Sequence, residues 1–339
     1  MKTVVVEKPG KLVIAEKTMP QEARDGEVII KVKAAGICGS DAHIYHGRSA
    51  FATYPRIIGH EITGEVYMTG NSVENIKPGD KVAVDPVISC GSCYACRIGR
   101  HNVCSNLKVL GVHVDGGYRE YLSVNAKNVH KLPDDIPWEY AAMIEPYSIA
   151  AEAIDRGCLS SDDSVLICGA GPIGLVILQA VKRAGARAIV MDILDSRLAK
   201  AKEMGADVSV NTKKQDLTES VMKFTEGEGV NLIFEATGNL SILELCISKL
   251  VSQAGRVVVL GFPTETAKIA PIDIMKRELN IVGSRLNCNK FPEVIEWMKA
   301  KEVDPSRIIS HIIPVNDIQS AFNLSDSEPE KVCKIILTF

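Results

Sequence analysis

The sequence predicts an α/β protein with two domains, a mainly-β amino-terminal half and a doubly wound half built on a six-stranded parallel sheet. Two observations carry this prediction. Up to about residue 140, short β-branched runs alternate with Gly, Pro and Asp, a pattern typical of antiparallel sheets. Past residue 145, apolar runs alternate with amphipathic helical segments, a pattern typical of parallel sheets with crossover helices.

Composition narrows the class of protein further. A chain of 339 residues with 46% hydrophobic and 24% charged residues is typical of a soluble two-domain protein. The formal net charge of -3, without a long basic run, argues against a nucleic-acid partner. No apolar run indicates a signal peptide or a membrane span, so we expect a cytoplasmic protein that binds small molecules.

In the first half, the predicted strands cover the β-branched runs. They are Thr3 to Glu7, Glu27 to Ala34, Glu61 to Met68, Lys81 to Val84 and Tyr118 to Val124. Pro9-Gly10 and Pro78-Gly79 provide chain reversals between them. We therefore expect mostly antiparallel pairing.

In the second half, six apolar runs predict the strands of the parallel sheet. They are Ser164 to Gly169, Ala188 to Asp192, Val208 to Asn211, Asn231 to Ala236, Arg256 to Gly261 and Asn280 to Gly283. Helices are predicted from Pro172 and from Asp195 to Gly205, which completes a doubly wound pattern. Beyond Asn287 we expect a helix near Pro292 to Lys301 and a final strand at Lys334 to Phe339.

A glycine-rich turn follows the first strand of this half. Residues 169–174, Gly-Ala-Gly-Pro-Ile-Gly, match G-x-G-x-x-G between a strand and an apolar helix. Gly169 permits the tight turn, Gly171 lets a pyrophosphate approach, and Gly174 lets the helix pack on the strand. Pro172 suits the first helical position, and Ile173 completes the turn. The segment predicts a Rossmann-type dinucleotide site rather than a non-binding glycine turn.

Asp192 ends the second predicted strand, eighteen residues after Gly174. A carboxylate there accepts hydrogen bonds from the adenosine ribose hydroxyls and repels a 2'-phosphate. The pattern therefore favours NAD over NADP.

Four cysteines lie close together in the first half. Cys90, Cys93, Cys96 and Cys104 have C-x2-C-x2-C-x7-C spacing in a polar loop. In a reducing compartment such spacing favours metal over disulfides, and four thiolates form a closed tetrahedral zinc site that contributes folding energy. We predict a structural zinc in this lobe; a redox pair or four core cysteines fit the pattern less well.

A second set of donors is spread along the chain. Cys38, His60 and a carboxylate, either Glu61 or Glu145, match the three ligands plus water of a catalytic zinc. One thiolate and one carboxylate would roughly neutralise Zn²⁺ while leaving it Lewis acidic enough to lower the pKa of an alcohol. Each residue taken alone is also explained as a core cysteine, a polar pair or a surface acid.

Two residues near Cys38 are candidates for proton transfer. Ser40 offers a hydroxyl near the metal, and His43 offers an imidazole near solvent. Combined with NAD, this set predicts hydride transfer between a secondary alcohol and its ketone.

Taken in chain order, these motifs resemble the zinc-containing medium-chain dehydrogenase/reductase family. They are the G-I-C-G-S-D-x-H loop at 36–43, G-H-E at 59–61, the four-cysteine lobe at 90–104, E-P at 145–146 and G-A-G-P-I-G at 169–174. The resemblance implies a GroES-like mainly-β catalytic domain over 1–143, a Rossmann NAD-binding domain over 144–286 and a return to the catalytic domain over 287–339, with the cofactor in the cleft between the domains. It also implies two Zn²⁺ per chain and a homodimer or homotetramer.

The resemblance also assigns individual residues. Classical alcohol dehydrogenases of the family carry cysteine where this chain has Glu145, whereas polyol, threonine and sugar-acid dehydrogenases carry glutamate. Cys38, His60 and Glu145 are the preferred zinc ligands, with Glu61 as an alternative or transient catalytic ligand. The further expected cofactor contacts are Arg197, Thr237, Gly261, Ser284 and Arg285.

Three segments, at 54–56, 111–117 and 283–287, resemble the hexonate branch of the family, which includes L-gulonate and L-galactonate 5-dehydrogenases. A sugar acid carries a carboxylate, so a cation is required, and Arg56 or Arg285 is a candidate clamp with His113 as a further substrate contact. Pairing of either arginine with a local acid or with the cofactor is an equal alternative. A polyol or L-threonine 3-dehydrogenase, and a sensor that binds NAD and zinc without turnover, are the competing functions.

Overall fold

The computed structural model describes residues 1–339. The strands are β1 (Lys2–Lys8), β2 (Lys11–Glu16), β3 (Glu27–Gly36), β4 (Arg56–Ile57), β5 (Glu61–Thr69), β6 (Lys81–Val84), β7 (Val87–Ile88), β8 (Lys108–Val109), β9 (Tyr121–Asn125), β10 (Val129–Lys131), β11 (Ser164–Cys168), β12 (Arg187–Asp192), β13 (Val208–Asn211), β14 (Val230–Glu235), β15 (Val251–Val259), β16 (Asn280–Gly283), β17 (Ile309–Pro314) and β18 (Lys334–Thr338).

The α-helices are α1 (Gly39–Tyr45), α2 (Tyr94–Arg97), α3 (Trp138–Ala141), α4 (Ile144–Arg156), α5 (Pro172–Arg183), α6 (Asp195–Glu203), α7 (Leu217–Phe224), α8 (Leu240–Leu245), α9 (Pro271–Met275), α10 (Phe291–Lys299) and α11 (Ile318–Ser327). A π-helical segment, Cys246–Leu250, follows α8. Short 3-10 helices cover His101–Val103, Ala126–Asn128, Pro305–Arg307 and Val315–Asp317. None of these helices is both long enough and apolar enough to cross a bilayer.

The chain divides into two compact units. The first contains residues 1–146, 287–301 and 305–339, and the second contains residues 147–286 and 302–304. The division therefore falls inside α4, and most of the carboxyl-terminal segment belongs to the first unit.

The first unit is organised by a seven-stranded sheet. Its order is β10-β6-β5-β3-β18-β17, and β9 pairs with the early part of β3. All pairs are antiparallel except β17 with β18. The last strand of the chain thus lies beside β3, where Ile336 faces Gly36. Apolar residues of β3, β5 and β6 that alternate along the strands form one of its cores.

The second unit contains the predicted six-stranded parallel sheet. Its order, β13-β12-β11-β14-β15-β16, is that of a dinucleotide-binding doubly wound fold. The central strand β11 is buried along its whole length, as expected for a parallel strand covered on both faces. Strand β15 begins at Val251, earlier than predicted, because an irregular register joins its first residues to β14.

Candidate active site

Three donor side chains of the first unit converge. Cys38 precedes α1, while His60 and Glu61 stand at the start of β5. One ligand atom of each residue lies within 4.8 Å of those of the other two. His60 and Glu61 are buried and Cys38 is partly buried. Two separate segments of the chain supply these residues, so only the fold brings them together.

Asp41 connects the two segments. Its fully buried carboxylate accepts hydrogen bonds from the backbone N–H of Cys38 at 3.0 Å and of Gly59 at 3.1 Å, and from the Tyr118 hydroxyl at 3.0 Å. The same carboxylate lies 3.7 Å from Nδ1 of His60. Asp41 therefore fixes the backbone on both sides of the donor group.

Glycine is required immediately before His60. Gly59 has φ +92°, and a Cβ there would lie 2.1 Å from the Tyr118 ring. Gly111 and Gly116 pack against Gly59 so closely that a Cβ on either would lie within 2.5 Å of its backbone. The glycines of the 111–117 segment, which we associated with the hexonate branch, thus form a backbone contact that supports His60.

Glu61 pairs with a lysine from the other end of the chain. Lys334 Nζ lies 2.6 and 2.9 Å from the two oxygens of the Glu61 carboxylate, and both side chains are almost fully buried. Burial alone would lower the pKa of Lys334, but the charge of Glu61 raises it above its usual value. Lys334 is therefore charged and balances one of the acids at this centre.

Glu145, in the first turn of α4, is a second buried acid near the group. Burial raises the pKa of its carboxyl to about 7; the nearby His60 opposes this shift and Glu61 adds to it. Glu145 is not among the three donors that lie within 4.8 Å of one another. The structure thus gathers Glu61 more tightly with Cys38 and His60 than Glu145.

The donor set fits a zinc ion. A thiolate, an imidazole and carboxylates are ordinary zinc ligands. Burial alone would lower the pKa of His60, but the charges of Asp41 and Cys38 together raise it well above its usual value. Such a negative environment is one that a divalent cation would neutralise.

The two proton-relay candidates follow Cys38 directly. Ser40 and His43 lie in α1, with Ser40 partly buried and His43 at the surface. Partial desolvation and the charge of Arg48 lower the pKa of His43. The ring is therefore neutral and able to accept a proton at neutral pH.

The four cysteines of residues 90–104 form a compact cluster. Sulfur-to-sulfur distances are 3.5 Å for Cys93 to Cys96, 3.8 Å for Cys93 to Cys104 and 3.4 Å for Cys104 to Cys90. A tetrahedral ion with Zn–S bonds of about 2.3 Å requires S···S edges of about 3.8 Å. Hydrogen bonds from Ser92 and Cys93 lower the pKa of Cys90 to about 5. The cluster thus fits a four-thiolate zinc.

In the second unit, the glycine turn joins β11 to α5. Gly169 has φ +99°, and a Cβ at Gly174 would lie 1.8 Å from the Gly169 carbonyl oxygen. A Cβ at Gly171, by contrast, would meet nothing within 4 Å. Pro172 is the first residue of α5, and Ile173 is partly buried beside it. The turn therefore leaves open space where the amino end of a helix can receive a phosphate.

Asp192, at the end of β12, contacts this turn. Oδ2 accepts a hydrogen bond from the Ala170 N–H at 2.8 Å, and Oδ1 accepts from the N–H groups of Ile193 and Leu194 at 2.7 and 3.0 Å. Arg197 of α6 lies 4.0 Å from the same carboxylate. Asp192 is thus both a candidate ribose acceptor and a brace for the glycine turn.

The other expected cofactor residues follow the ends of β14, β15 and β16. Thr237 donates through its N–H and its hydroxyl to the buried carboxylate of Glu235. A Cβ at Gly261 would lie 2.4 Å from the Gly238 Cα, so these two loops touch. Ser284 is buried with its hydroxyl unpartnered, and Arg285 next to it is partly buried. All of them lie at the carboxyl edge of the sheet, where such folds bind ligands.

Arg56 and His113, the candidate substrate contacts, have partners within the first unit. Arg56 forms an ion pair with Asp115 at 3.1 Å and donates to the Thr53 hydroxyl at 2.6 Å. Nδ1 of His113 accepts a hydrogen bond from the Val109 N–H at 3.1 Å. The Arg56 charge is therefore largely balanced within the chain.

Sequence reasoning missed four residues of this centre. Asp41 and Gly36 both belong to the 36–43 loop motif, but the motif predicts no role for either residue. The pattern predicts Tyr118 only as the start of a strand, whereas it precedes β9, and its single O–H lies within hydrogen-bond distance of two acceptors, the Gly36 carbonyl at 2.8 Å and the Asp41 carboxylate at 3.0 Å. Lys334 is the first residue of an apolar terminal strand, and this position was the one available signal of a buried ion pair. Nothing in the sequence indicates which acid is its partner.

Comparison with known proteins identifies the class. Residues 24–134 match the alcohol dehydrogenase GroES-like domain, and residues 172–300 match the zinc-binding dehydrogenase domain. The chain therefore belongs to the zinc-type alcohol dehydrogenases, the zinc-containing medium-chain dehydrogenase/reductase family that the motifs indicated. It is an oxidoreductase of the zinc-binding dehydrogenase type.

Several relatives match over nearly the full length. Starvation-sensing protein RspB of Escherichia coli K12 is 46% identical, with 100% of this chain and 99% of the relative covered. L-galactonate-5-dehydrogenase of Escherichia coli K12 is 31% identical over the same shares of the two chains. A crystal structure of a short chain alcohol dehydrogenase (rspB) from Escherichia coli CFT073 with NADH has a TM-score of 0.95 and 44% identity, covering 100% of this chain and 99% of that one.

Proposed function

We propose that this dehydrogenase oxidises a secondary hydroxyl of a sugar acid, a hexonate such as L-gulonate or L-galactonate, to a keto acid with NAD as the hydride acceptor. The observation that supports the reaction is the convergence of Cys38, His60 and Glu61, a donor set with one thiolate and a carboxylate in place of a second thiolate. The full-length similarity to a protein named L-galactonate-5-dehydrogenase supports the substrate class.

In this proposal, Cys38 and His60 hold the catalytic zinc together with Glu61 or Glu145. The bound ion supplies Lewis acidity to the substrate hydroxyl. The Asp41 carboxylate lies 3.7 Å from Nδ1 of His60, beyond hydrogen-bond distance, so it acts on the ring through its charge rather than through a hydrogen bond. The four cysteines of the lobe hold a second, structural zinc.

The proton released by the alcohol passes through α1. Ser40 receives it near the metal and His43, neutral at pH 7, carries it to solvent. The turn from Gly169 to Gly174 receives the pyrophosphate of NAD, and Asp192 accepts the ribose hydroxyls. We propose Arg197, Thr237, Gly261, Ser284 and Arg285 as the remaining cofactor contacts.

Arg56 and Arg285 are the proposed cations for the substrate carboxylate, and His113 is proposed as a further substrate contact. The ion pair of Arg56 with Asp115 favours a second candidate, a neutral polyol, because a balanced guanidinium attracts an acid less. The two substrate classes therefore differ in what they need from Arg56. Assembly as a homodimer or homotetramer stays a prediction.

A panel of hexonates and neutral polyols with NAD, followed by NADH absorbance, tests the substrate class. We expect Arg56→Ala to lower kcat/KM for hexonates about tenfold to a hundredfold, and for polyols far less, because a charge-assisted hydrogen bond is lost. Asp115→Asn, which frees the guanidinium and keeps the acceptor for Ile57, is expected to shift preference towards hexonates. Equal losses on both classes with Arg56→Ala would rule out an acid clamp at this residue.

A further inference from the structure

Lys334 is a buried cation held in one position. Its side chain is 3% exposed, and Nζ lies 2.6 and 2.9 Å from the two Glu61 oxygens and 3.0 Å from the carbonyl oxygen of Ile37. A lysine ammonium has three N–H donors. These three acceptors use all of them, so the ammonium has no donor left for another group.

Gly36 makes room for the pair. In the sheet, Gly36 of β3 faces Glu61 of β5 on one side and Ile336 of β18 on the other. A Cβ at position 36 would lie 1.7 Å from Oε2 of Glu61. The carboxylate thus reaches towards the lysine of β18 across the one position of β3 where no side chain stands in its way.

This pair needs an explanation other than stability. Desolvation of two buried charges offsets most of their attraction, so a buried ion pair is weak evidence for a stabilising role. The Glu61 carboxylate also presents an oxygen within 4.8 Å of the donor atoms of Cys38 and His60. A metal ion bound by Cys38, His60 and Glu61 would therefore share the Glu61 carboxylate with the lysine.

We propose that Lys334 is a positioning residue that weakens the hold of Glu61 on the metal and so keeps Glu61 an exchangeable ligand. The proposal rests on the catalytic zinc site proposed above. Cys38 and His60, with Glu145 as the further acid, would hold the ion, while Glu61, drawn towards the ammonium, would be the ligand that gives way to substrate. The role is electrostatic, since a bound cation repels the lysine and the lysine partly neutralises the ligand.

Release of zinc to a chelating dye tests this role without measuring turnover. The phase of zinc release that is absent in Cys38→Ser is assigned to the catalytic site. This assignment distinguishes it from zinc release by the four-cysteine lobe. In Lys334→Met, the side chain has a similar length but no charge. We expect zinc release from the catalytic site to slow about tenfold in this variant, and kcat to fall. Lys334→Arg, which keeps the charge, is expected to release zinc within about twofold of the wild-type rate. Faster or unchanged release in Lys334→Met would overturn the proposal.

A second comparison covers the case in which Lys334→Met does not fold, since it leaves Glu61 buried without a counter-charge. In the Glu61→Gln background, adding Lys334→Met is expected to leave the release rate unchanged, because the lysine acts through Glu61. A further slowing in the double variant would contradict the proposal. If the proposed catalytic zinc site were itself wrong, Cys38→Ser would retain two zinc ions and full activity, a result distinct from those of the lysine variants.

Discussion

At the scale of single residues, Asp192 combines two tasks. Its carboxylate accepts three backbone N–H groups, one of them from Ala170 in the glycine turn, so it is part of the turn as well as a proposed contact for ribose. The sequence indicated the second task from the position of the acid alone. The first task depends on the contact between β12 and the glycine turn, which only the tertiary structure shows.

Asp192→Asn tests the ribose contact. The amide keeps one acceptor oxygen for the N–H groups of Ile193 and Leu194, whereas its NH2 group cannot accept from the Ala170 N–H, a loss that affects both cofactors alike. The variant also loses the charge that repels a 2'-phosphate, and Arg197 lies close enough to receive that phosphate. We expect the ratio of kcat/KM for NAD over NADP to fall about tenfold or more. Asp195→Asn, a nearby exposed acid, serves as the control and is expected to leave the ratio unchanged. An unaltered ratio in Asp192→Asn would refute the ribose contact.

At the scale of elements, the glycine turn allows α5 to pack closely against the end of β11. Gly174 lies against the Gly169 carbonyl, whereas Gly171 faces open space. The motif therefore contains a packing glycine and an access glycine, and the two make different predictions.

Gly174→Ala is expected to weaken both folding and cofactor binding. Its Cβ would push α5 off β11, at a cost of about 2 kcal/mol in the free energy of unfolding, and NADH affinity should fall with it. Gly171→Ala is expected to leave stability within about 0.5 kcal/mol and still to weaken NADH binding about tenfold, because the methyl group occupies the phosphate space. Urea unfolding and NADH fluorescence measure the two effects. Equal stability losses in both variants would show that the distinction is wrong.

At the scale of the whole molecule, acid sensitivity has an identifiable source in the first unit. His130 of β10 stacks on Phe291 of α10 at a centroid distance of 5.0 Å, and burial lowers its pKa from 6.5 to about 4. Between these two pKa values, the unfolded chain therefore binds a proton at His130 that the folded chain does not bind. The resulting stability is present above pH 6.5 and is lost as the pH falls towards 4.

His130→Phe keeps an aromatic ring against Phe291 and removes the titration. Between pH 7.5 and pH 5, we expect the wild type to lose about 2 kcal/mol more free energy of unfolding than the variant. Burial raises the pKa of Asp85 to about 6, which opposes this trend in both proteins and cancels in the comparison. Urea unfolding at the two pH values provides the measurement, and identical pH dependence would exclude His130 as the source.

Local pattern determined much of this protein. Alternation of apolar runs with helices predicted all six strands of the parallel sheet, and cysteine spacing alone predicted the cluster of residues 90–104. These features are local, because a strand, a glycine turn or a metal loop is specified by residues within about twenty positions of one another. The same locality explains why the family could be identified from its motifs.

Only the tertiary structure showed which charges meet beside Cys38 and His60. The family resemblance preferred Glu145 to Glu61 as the acidic ligand, whereas the fold gathers Glu61 more tightly with Cys38 and His60, and Lys334 carried no indication of its partner. Sheet order accounts for the lysine, because β18 pairs with β3 and thereby brings residue 334 to residue 61, 273 positions away. A buried carboxylate needs a counter-charge, and from the sequence alone any lysine could supply it. Only the strand register shows which lysine lies within reach of Glu61.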